Sequence, residues 1–167
     1  EVAGIPMLKL SERPLSGWSV FAKGLEDRIL AAILLVVFSP VLVLAAIAIK
    51  LTSQGPVLFK QPRYGFNNNE FSVLKFRTMR AAPAPAVGVE QAKREDPRVT
   101  AVGKILRRTS LDELPQLVNV VRGEMSLVGP RPHAVAHNEE YATVINEYLS
   151  RHRVKPGITG WAQINGF

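Results

Sequence analysis

Two adjacent carboxylates, Asp112 and Glu113, lie in a short segment that is also rich in basic residues. Arg107 and Arg108 precede the pair, and Arg131 follows it between two prolines. Paired carboxylates can hold a metal ion or attack an electrophile, and arginines neutralise the charge on a transferring phosphoryl group. These residue types within one segment predict phosphate chemistry.

The local sequence predicts that the acidic pair lies at the start of a helix. Pro115 is tolerated in the first turn of a helix and not in its interior, so the helix is expected to begin near residues 110–112. Ser110 and Glu113 have the spacing of a capping box, and Asp112 is the alternative N-cap. Capping alone is the simpler interpretation of the pair, and the neighbouring arginines favour a catalytic one. The apolar face of this helix would comprise Leu114, Leu117, Val118 and Val121.

Residues 109–132, TSLDELPQLVNVVRGEMSLVGPRP, resemble the signature of the bacterial sugar transferases, which are monotopic phosphoglycosyl transferases. The long signature is specific, and the resemblance covers nearly all of the chain after residue 24. Residues 130–141, PRPHAVAHNEEY, are similar to the glucose-transferring members, the undecaprenyl-phosphate glucose phosphotransferases. Shorter matching stretches are Ser39–Pro40, KFRTM at 75–79, DPRVT at 96–100 and KPGITGWAQING at 155–166.

The resemblance implies a two-step reaction that starts exopolysaccharide synthesis. Asp112 would attack the β-phosphate of a UDP-sugar, release UMP and form an aspartyl-phosphosugar, which undecaprenyl phosphate then discharges. Glu113 would bind Mg²⁺ together with Asp112, or position the acceptor phosphate. UDP-glucose is the favoured donor, ahead of UDP-galactose. The cations expected to bind substrate phosphates are Lys75, Arg77, Arg107, Arg108 and Arg131.

Composition limits the alternatives. The 167 residues carry a formal net charge of +7, which predicts a polyanionic partner: a phosphorylated substrate, anionic lipid or nucleic acid. The chain has no cysteine, which excludes disulfides and thiolate metal sites, and its three histidines form no recognisable zinc pattern. The resemblance implies that nucleic acid is not a partner. Two rival hypotheses are a membrane-anchored basic module that binds anionic lipid or nucleic acid, and a non-catalytic scaffold of a polysaccharide assembly complex.

An uncharged apolar run covers residues 29–49, and about 20 such residues suffice to cross a bilayer as a helix. Ser39 and Pro40 interrupt it at the middle, and basic residues flank both ends. From these residues alone, a Pro-kinked spanning helix and a re-entrant hairpin with both ends in the cytoplasm are equally consistent. The resemblance implies the re-entrant form, in the bacterial inner (cytoplasmic) membrane with the catalytic domain on its cytoplasmic face.

The chain is expected to form an α+β, mainly helical fold. It would have a linker or juxtamembrane segment at residues 1–24, a re-entrant membrane helix-break-helix at 25–50, and a catalytic domain at 51–167 that is a fragment of a larger protein. Strand-like runs at 57–59 and 71–77, joined by turn formers, predict a β-hairpin that presents Lys75 and Arg77 on one face. A mobile loop at 81–96, helices at 98–108 and 134–153, and a turn-rich end complete the chain. The sequence leaves the oligomeric state open, a homo-oligomer included.

Overall fold

The computed structural model describes residues 17–80, 96–132 and 153–165. This part of the chain is mostly helical with little β-structure, which confirms the predicted fold class in outline. The predictions for residues 81–95, for the helix at 134–153 and for the three histidines lie wholly or mainly outside the described residues. The elements are α1 (Trp18–Thr52), β1 (Leu58–Tyr64), a 3₁₀ turn (Phe66–Asn68), β2 (Glu70–Phe76), α2 (Ala101–Arg108), a second 3₁₀ turn (Leu111–Glu113), α3 (Gln116–Arg122), β3 (Ser126–Val128), β4 (Gly157–Thr159) and α4 (Trp161–Ile164).

Helix α1 runs without interruption through Ser39 and Pro40, so the predicted break into two helices is wrong. Pro40 has no amide hydrogen and leaves the carbonyl of Val36, four residues earlier, without its usual donor. The Ser39 hydroxyl donates to that carbonyl at 2.7 Å and takes the place of the missing bond. The helix has 35 residues, about 52 Å at 1.5 Å per residue, and is long and apolar enough to cross a membrane by length and composition.

Both halves of α1 pack against the rest of the protein. In the first half, Ala31 is fully buried in a cluster with Leu117 and Val120 of α3. In the second half, Ala45 and Ile49 belong to another cluster, with Phe76 of β2 and Leu106 of α2. The side of α1 turned away from these clusters is apolar and exposed, including Ile33, Val36, Val37, Val43, Leu44 and Ile47.

The predicted β-hairpin is confirmed. Strands β1 and β2 pair antiparallel, with Gln61 opposite Val73 and Phe59 opposite Lys75. The connection contains Asn67 and Asn68, whose φ angles are 52° and 59°. Asparagine enters this left-handed region more readily than most residues, which is why the asparagine run forms the turn.

Helix α3 begins later than predicted, and its predicted apolar face is correct for Leu117 and for Leu114, which packs on the same cluster, but not for Val121. It begins at Gln116 and buries Leu117 and Val120, whereas Val121, predicted to be in the core, is exposed. Asn119 is fully buried in the same face and bonds to β2, accepting from the Leu74 amide at 3.0 Å and donating to the Ser72 carbonyl at 2.8 Å. The Asn119 amide thus satisfies backbone groups of β2 that strand β1 does not reach.

A second, parallel two-stranded sheet joins β3 to β4, where the sequence predicted only turns. Beyond these strands, the Gly129 amide donates to the Thr159 carbonyl at 2.9 Å and the Gly157 amide donates to the Pro130 carbonyl at 3.0 Å. The backbones approach so closely that a Cβ on Gly157 would lie 2.1 Å from Gly129 N. The motif at residues 155–160 therefore supports the Gly-Pro-Arg-Pro turn at 129–132.

The segments at residues 75–79 and 96–100 also lie together. Met79 and Val99 form an isolated antiparallel bridge, and the Thr100 amide donates to the Thr78 carbonyl at 3.0 Å. The Thr100 hydroxyl accepts from the Gly103 amide at 2.9 Å and caps α2, which begins three residues later than predicted. These bonds connect α2, and with it Arg107, to the end of the hairpin.

Candidate active site

The acidic pair lies in the 3₁₀ turn that precedes α3, not in the first turn of a helix as predicted. Ser110 adopts a left-handed conformation, with φ of 57°, and its side chain makes no capping bond. The predicted capping box is therefore wrong. The left-handed residue redirects the chain after α2, and it leaves the Glu113 carboxylate available for partners outside its own segment.

Glu113 accepts two charged hydrogen bonds on one oxygen. The Lys75 ammonium lies 2.7 Å from Glu113 Oε1, and Nη2 of Arg131 lies 3.0 Å from the same atom. Burial works to raise the pKa of Glu113, but the hydrogen bonds and charges of Lys75 and Arg131 outweigh it and hold the pKa below its usual value. Glu113 is consequently a fixed anion at neutral pH.

Asp112 has the opposite electrostatic character. Burial and, after it, the negative charge of Glu113 raise the pKa of Asp112, against the opposing charges of Lys75 and Arg107. The side chain is half-buried, so it retains access to a ligand. Neighbouring carboxylates whose environments shift their pKa values in opposite directions are suited to different tasks, and here the pKa of Asp112 is raised while that of Glu113 is lowered.

The structure brings some of the predicted cations to the pair and not others. Lys75 and Arg131 contact Glu113 directly, whereas Nε of Arg107 donates to the Thr78 hydroxyl at 2.8 Å. The charge of Arg107 acts on Asp112 from there. Arg108 is exposed at the end of α2, and no contact found among the described residues links it to either carboxylate.

Arg77 does not join Lys75 beside the acidic pair, so its predicted placement is wrong. Residue 77 lies beyond the last residue of β2, and Arg77 is buried, with its guanidinium at the end of α1. There Nη2 donates to the carbonyl of Ser53 at 2.8 Å and to its hydroxyl at 2.9 Å. A cation at the C-terminal end of a long helix is favoured by the exposed carbonyls and the helix dipole, which explains this position.

Sequence reasoning treated Arg63 only as a basic flank of the apolar run and missed its place at the site. Nη1 of Arg63 donates to the Pro132 carbonyl at 3.1 Å, and Nη2 donates to Oε1 of Gln61 at 2.7 Å. Burial and the charge of Arg131 lower the pKa of Arg63, against the opposing charge of Glu113. The sequence feature that could have placed Arg63 at the site is strand alternation, because residues 59, 61 and 63 of β1 share the face that carries Lys75 on β2.

A cavity of about 780 Å³ adjoins the charged groups. Glu113 and Arg131 line part of it, and the remaining lining is largely apolar. The site therefore combines fixed charge with an apolar space beside α1. The apolar lining includes Leu34, Phe38, Leu114, Leu117, Leu127 and Ile158.

Comparison with known proteins agrees with this arrangement. A family model described as bacterial sugar transferase matches residues 18–167. The chain belongs to this family. Its relatives include the UDP-glucose:undecaprenyl-phosphate glucose-1-phosphate transferase of Escherichia coli (strain K12), 56% identical over 167 residues, which are 100% of this chain and 36% of the relative.

Two further relatives carry related names. The undecaprenyl-phosphate glucose phosphotransferase of Komagataeibacter xylinus is 54% identical over 160 residues, which are 94% of this sugar transferase and 30% of the relative. The UDP-N-acetylgalactosamine-undecaprenyl-phosphate N-acetylgalactosaminephosphotransferase of Aeromonas hydrophila is 44% identical over 144 residues, which are 86% of this chain and 34% of the relative. The chain thus spans about a third of the length of these three relatives.

The donor set of this sugar transferase fits Mg²⁺ only in combination with a substrate. The described residues contain no cluster of three or more His, Asp or Glu side chains that could enclose a metal ion. Mg²⁺ is commonly held by one or two carboxylates together with substrate phosphates and water. Asp112 and Glu113 supply such a pair, so the residues present fit an ion that binds together with a diphosphate.

Proposed function

We propose that this chain is the catalytic part of a phosphoglycosyl transferase. It moves a sugar 1-phosphate from a UDP-sugar to undecaprenyl phosphate and releases UMP. The observation that carries the proposal is the convergence of Lys75 and Arg131 on Glu113, beside a half-buried Asp112 whose pKa is raised. The names of the relatives support these two substrate classes.

In the first step, a carboxylate oxygen of Asp112 attacks the β-phosphorus of the UDP-sugar. The bond between the β-phosphorus and the oxygen that bridges to the α-phosphorus breaks, and UMP leaves with the electron pair. The product is an aspartyl-phosphosugar. The raised pKa of Asp112 favours it over Glu113 as the nucleophile, because ion pairing reduces the basicity of Glu113.

In the second step, a phosphate oxygen of undecaprenyl phosphate attacks the phosphorus of the intermediate. The bond from phosphorus to Asp112 breaks, which restores the carboxylate and yields a sugar linked to undecaprenyl diphosphate. The two substrates use one phosphate pocket in turn. Two unit charges about 4 Å apart repel by roughly 4 kcal/mol at an effective dielectric of 20, so sequential occupancy avoids a substantial cost.

The cations of the site screen the approach of a carboxylate to an anionic phosphate. Lys75 and Arg131 are held in place by Glu113, and Arg107 acts on Asp112 from its bond to Thr78. Asp112 and Glu113 would hold Mg²⁺ together with the diphosphate, and the ion would supply further positive charge to the phosphate oxygens. Glu113 thereby serves as the organising anion of the site, and Asp112 as the reacting group.

The arrangement proposed for α1 keeps both of its ends on the cytoplasmic side of the inner membrane. Because the helix has no break, it would lie partly immersed in one leaflet and would not turn back as a re-entrant hairpin. Support comes from the packing of both halves of α1 on the catalytic elements. A helix crossing the whole bilayer would draw those elements, with Lys75 and Glu113, to the depth of the hydrocarbon, where charged groups are costly. Partial immersion leaves the exposed apolar side of α1 in lipid and the charged site at the interface.

The donor sugar proposed is glucose, on the basis of the relatives that transfer glucose 1-phosphate. The test is UMP release by the purified protein with UDP-glucose, UDP-galactose and UDP-N-acetylgalactosamine, each with and without undecaprenyl phosphate and Mg²⁺. Turnover that requires both undecaprenyl phosphate and Mg²⁺, and is fastest with UDP-glucose, is expected. If none of the three donors yields UMP, the enzymatic proposal fails and the scaffold or basic binding module replaces it.

A further inference from the structure

Arg63 stands behind the Gly-Pro-Arg-Pro turn and holds its last residue. Its guanidinium bonds forward to the Pro132 carbonyl and sideways to Gln61, which fixes the plane of the group. Its Nε is buried and has no hydrogen-bond partner. The two hydrogen bonds fix the orientation of the Arg63 guanidinium group, because its N–H donors lie in one rigid plane.

The turn is restrained on its other side by β4. The amides of Gly129 and Gly157 form the two backbone bonds that connect the turn with this strand. Arg131 lies between these restraints and the bond from Arg63, and it reaches Glu113 from there at 3.0 Å. The position of the Arg131 guanidinium therefore depends on both sides of the turn.

The charges around Glu113 are unbalanced. Arg63, Lys75 and Arg131 lie around Glu113 and its neighbour Asp112, and burial and the proximity of Arg131 lower the pKa of Arg63. Holding two guanidinium groups near each other is unfavourable without an anion. An incoming phosphate relieves this repulsion, so the unbound site is arranged in advance for an anionic ligand.

The cavity that Arg63 lines together with Lys75, Glu113 and Arg131 has a volume of about 20 Å³. That is enough for about one water molecule and too little for a phosphate group. Arg63 thus acts on a bound phosphate through Arg131 and not by direct contact.

We propose that Arg63 is a positioning residue: its bond to Pro132 sets the place of Arg131, and Arg131 binds the diphosphate of the nucleotide-sugar donor. This inference rests on the proposed function, because it assigns the diphosphate to that site. It adds a residue of β1 to machinery that otherwise comes from β2, the acidic turn and the Gly-Pro-Arg-Pro turn.

A double-mutant cycle tests the dependence. Arg63→Gln, Arg131→Gln and the double variant are compared for kcat/KM with the UDP-sugar and for the rise in Tm caused by UDP with Mg²⁺. Arg63→Gln alone is expected to lower kcat/KM by up to about a hundredfold, as small misplacements at a site do, and to reduce the UDP-induced rise in Tm. In the Arg131→Gln background, the same change is expected to have little further effect on either readout.

The matched control is Lys60→Gln, a charge removal at an exposed position of β1 on the other side of the hairpin, which should leave both readouts unchanged. If Arg63→Gln does not fold, Arg63→Lys takes its place in the cycle, since lysine keeps the charge and loses the fork. Effects of the two substitutions that simply add would overturn the proposal, as would the absence of any UDP-induced rise in Tm in the unaltered protein. If no UDP-sugar is turned over but the effects of the Arg63 and Arg131 substitutions on the UDP-induced rise in Tm are non-additive, the proposed function fails and the positioning role stands.

Discussion

The ammonium group of Lys75 lies 2.7 Å from Oε1 of Glu113, and this ion pair joins the β-hairpin to the acidic turn. The same oxygen receives Arg131 from the Gly-Pro-Arg-Pro turn. Three segments that are far apart in the sequence therefore meet at one carboxylate oxygen. The pairing holds Glu113 as an anion, and burial together with the charge of that anion raises the pKa of Asp112.

The pH dependence of the reaction should reflect Asp112. Because its pKa in the folded protein lies above the ordinary value of 3.8, activity is expected to fall on acidification at a higher pH than an ordinary aspartate would give. Glu113→Gln removes the nearest negative charge, so the acid limb of its residual kcat/KM should move to lower pH. An acid limb that stays in place or moves upward in Glu113→Gln would contradict this electrostatic assignment.

Lys75 and Arg77 should separate function from stability, although they are only two residues apart. Lys75→Gln is expected to lower kcat/KM by about a hundredfold with little change in Tm, because Lys75 acts at the site. Arg77→Gln is expected to lower the free energy of unfolding by about 1.5 to 3 kcal/mol, because it breaks charged bonds to Ser53. Chemical denaturation and initial rates are measured on both variants. A destabilised Lys75→Gln together with a stable Arg77→Gln of low kcat/KM would contradict these roles.

Asn119 should be a principal polar contributor to stability. Asn119→Leu leaves the Leu74 amide and the Ser72 carbonyl without their partner, at a cost of about 1 to 3 kcal/mol for each buried group that stays unsatisfied. The free energy of unfolding should fall accordingly. Val121→Leu, on the exposed side of the same helix, is the control and should change it by less than about 0.5 kcal/mol. An Asn119→Leu variant as stable as the unaltered protein would show that these backbone groups find other partners.

The parts that could be predicted from the sequence rest on local signals. The asparagine run between two strand-like segments predicted the hairpin, and the residue types near Asp112 predicted that basic side chains lie beside the acidic pair. Membership of the family followed from a long contiguous signature. In each case the informative residues lie close together in the chain.

What could not be predicted depends on contacts between distant segments. Strands β3 and β4 have three residues each and are separated by residues 129–156, so they are too short to show a strand periodicity in the sequence. Asn119 is a polar residue on the buried face of α3, so the sequence pattern placed Val121 in the core in error. Ser39 replaces the bond lost at Pro40, which local rules for proline do not anticipate. Arg63 reaches Pro132 across 69 residues of sequence.

The topology of α1 can be tested with single cysteines, because the chain contains none of its own. Glu26→Cys and Lys60→Cys place one exposed thiol on each side of the apolar run. Neither thiol should react with a membrane-impermeant reagent added to intact bacterial spheroplasts, and both should react after permeabilisation. Labelling of either one from outside would establish a spanning helix and contradict the arrangement with both ends on the cytoplasmic side.

The covalent intermediate on Asp112 is the most direct test of the account. Protein incubated with UDP-glucose and Mg²⁺, without undecaprenyl phosphate, is measured by intact-mass spectrometry and by UMP release, with Asp112→Asn as the paired variant. The account predicts one added phosphosugar and one UMP per active site, an adduct that maps to Asp112, and its discharge when undecaprenyl phosphate is added. Asp112→Asn should form no adduct and lose at least about a thousandfold in turnover. Turnover by the unaltered protein with no adduct, together with initial rates showing that both substrates must bind before UMP leaves, would contradict it.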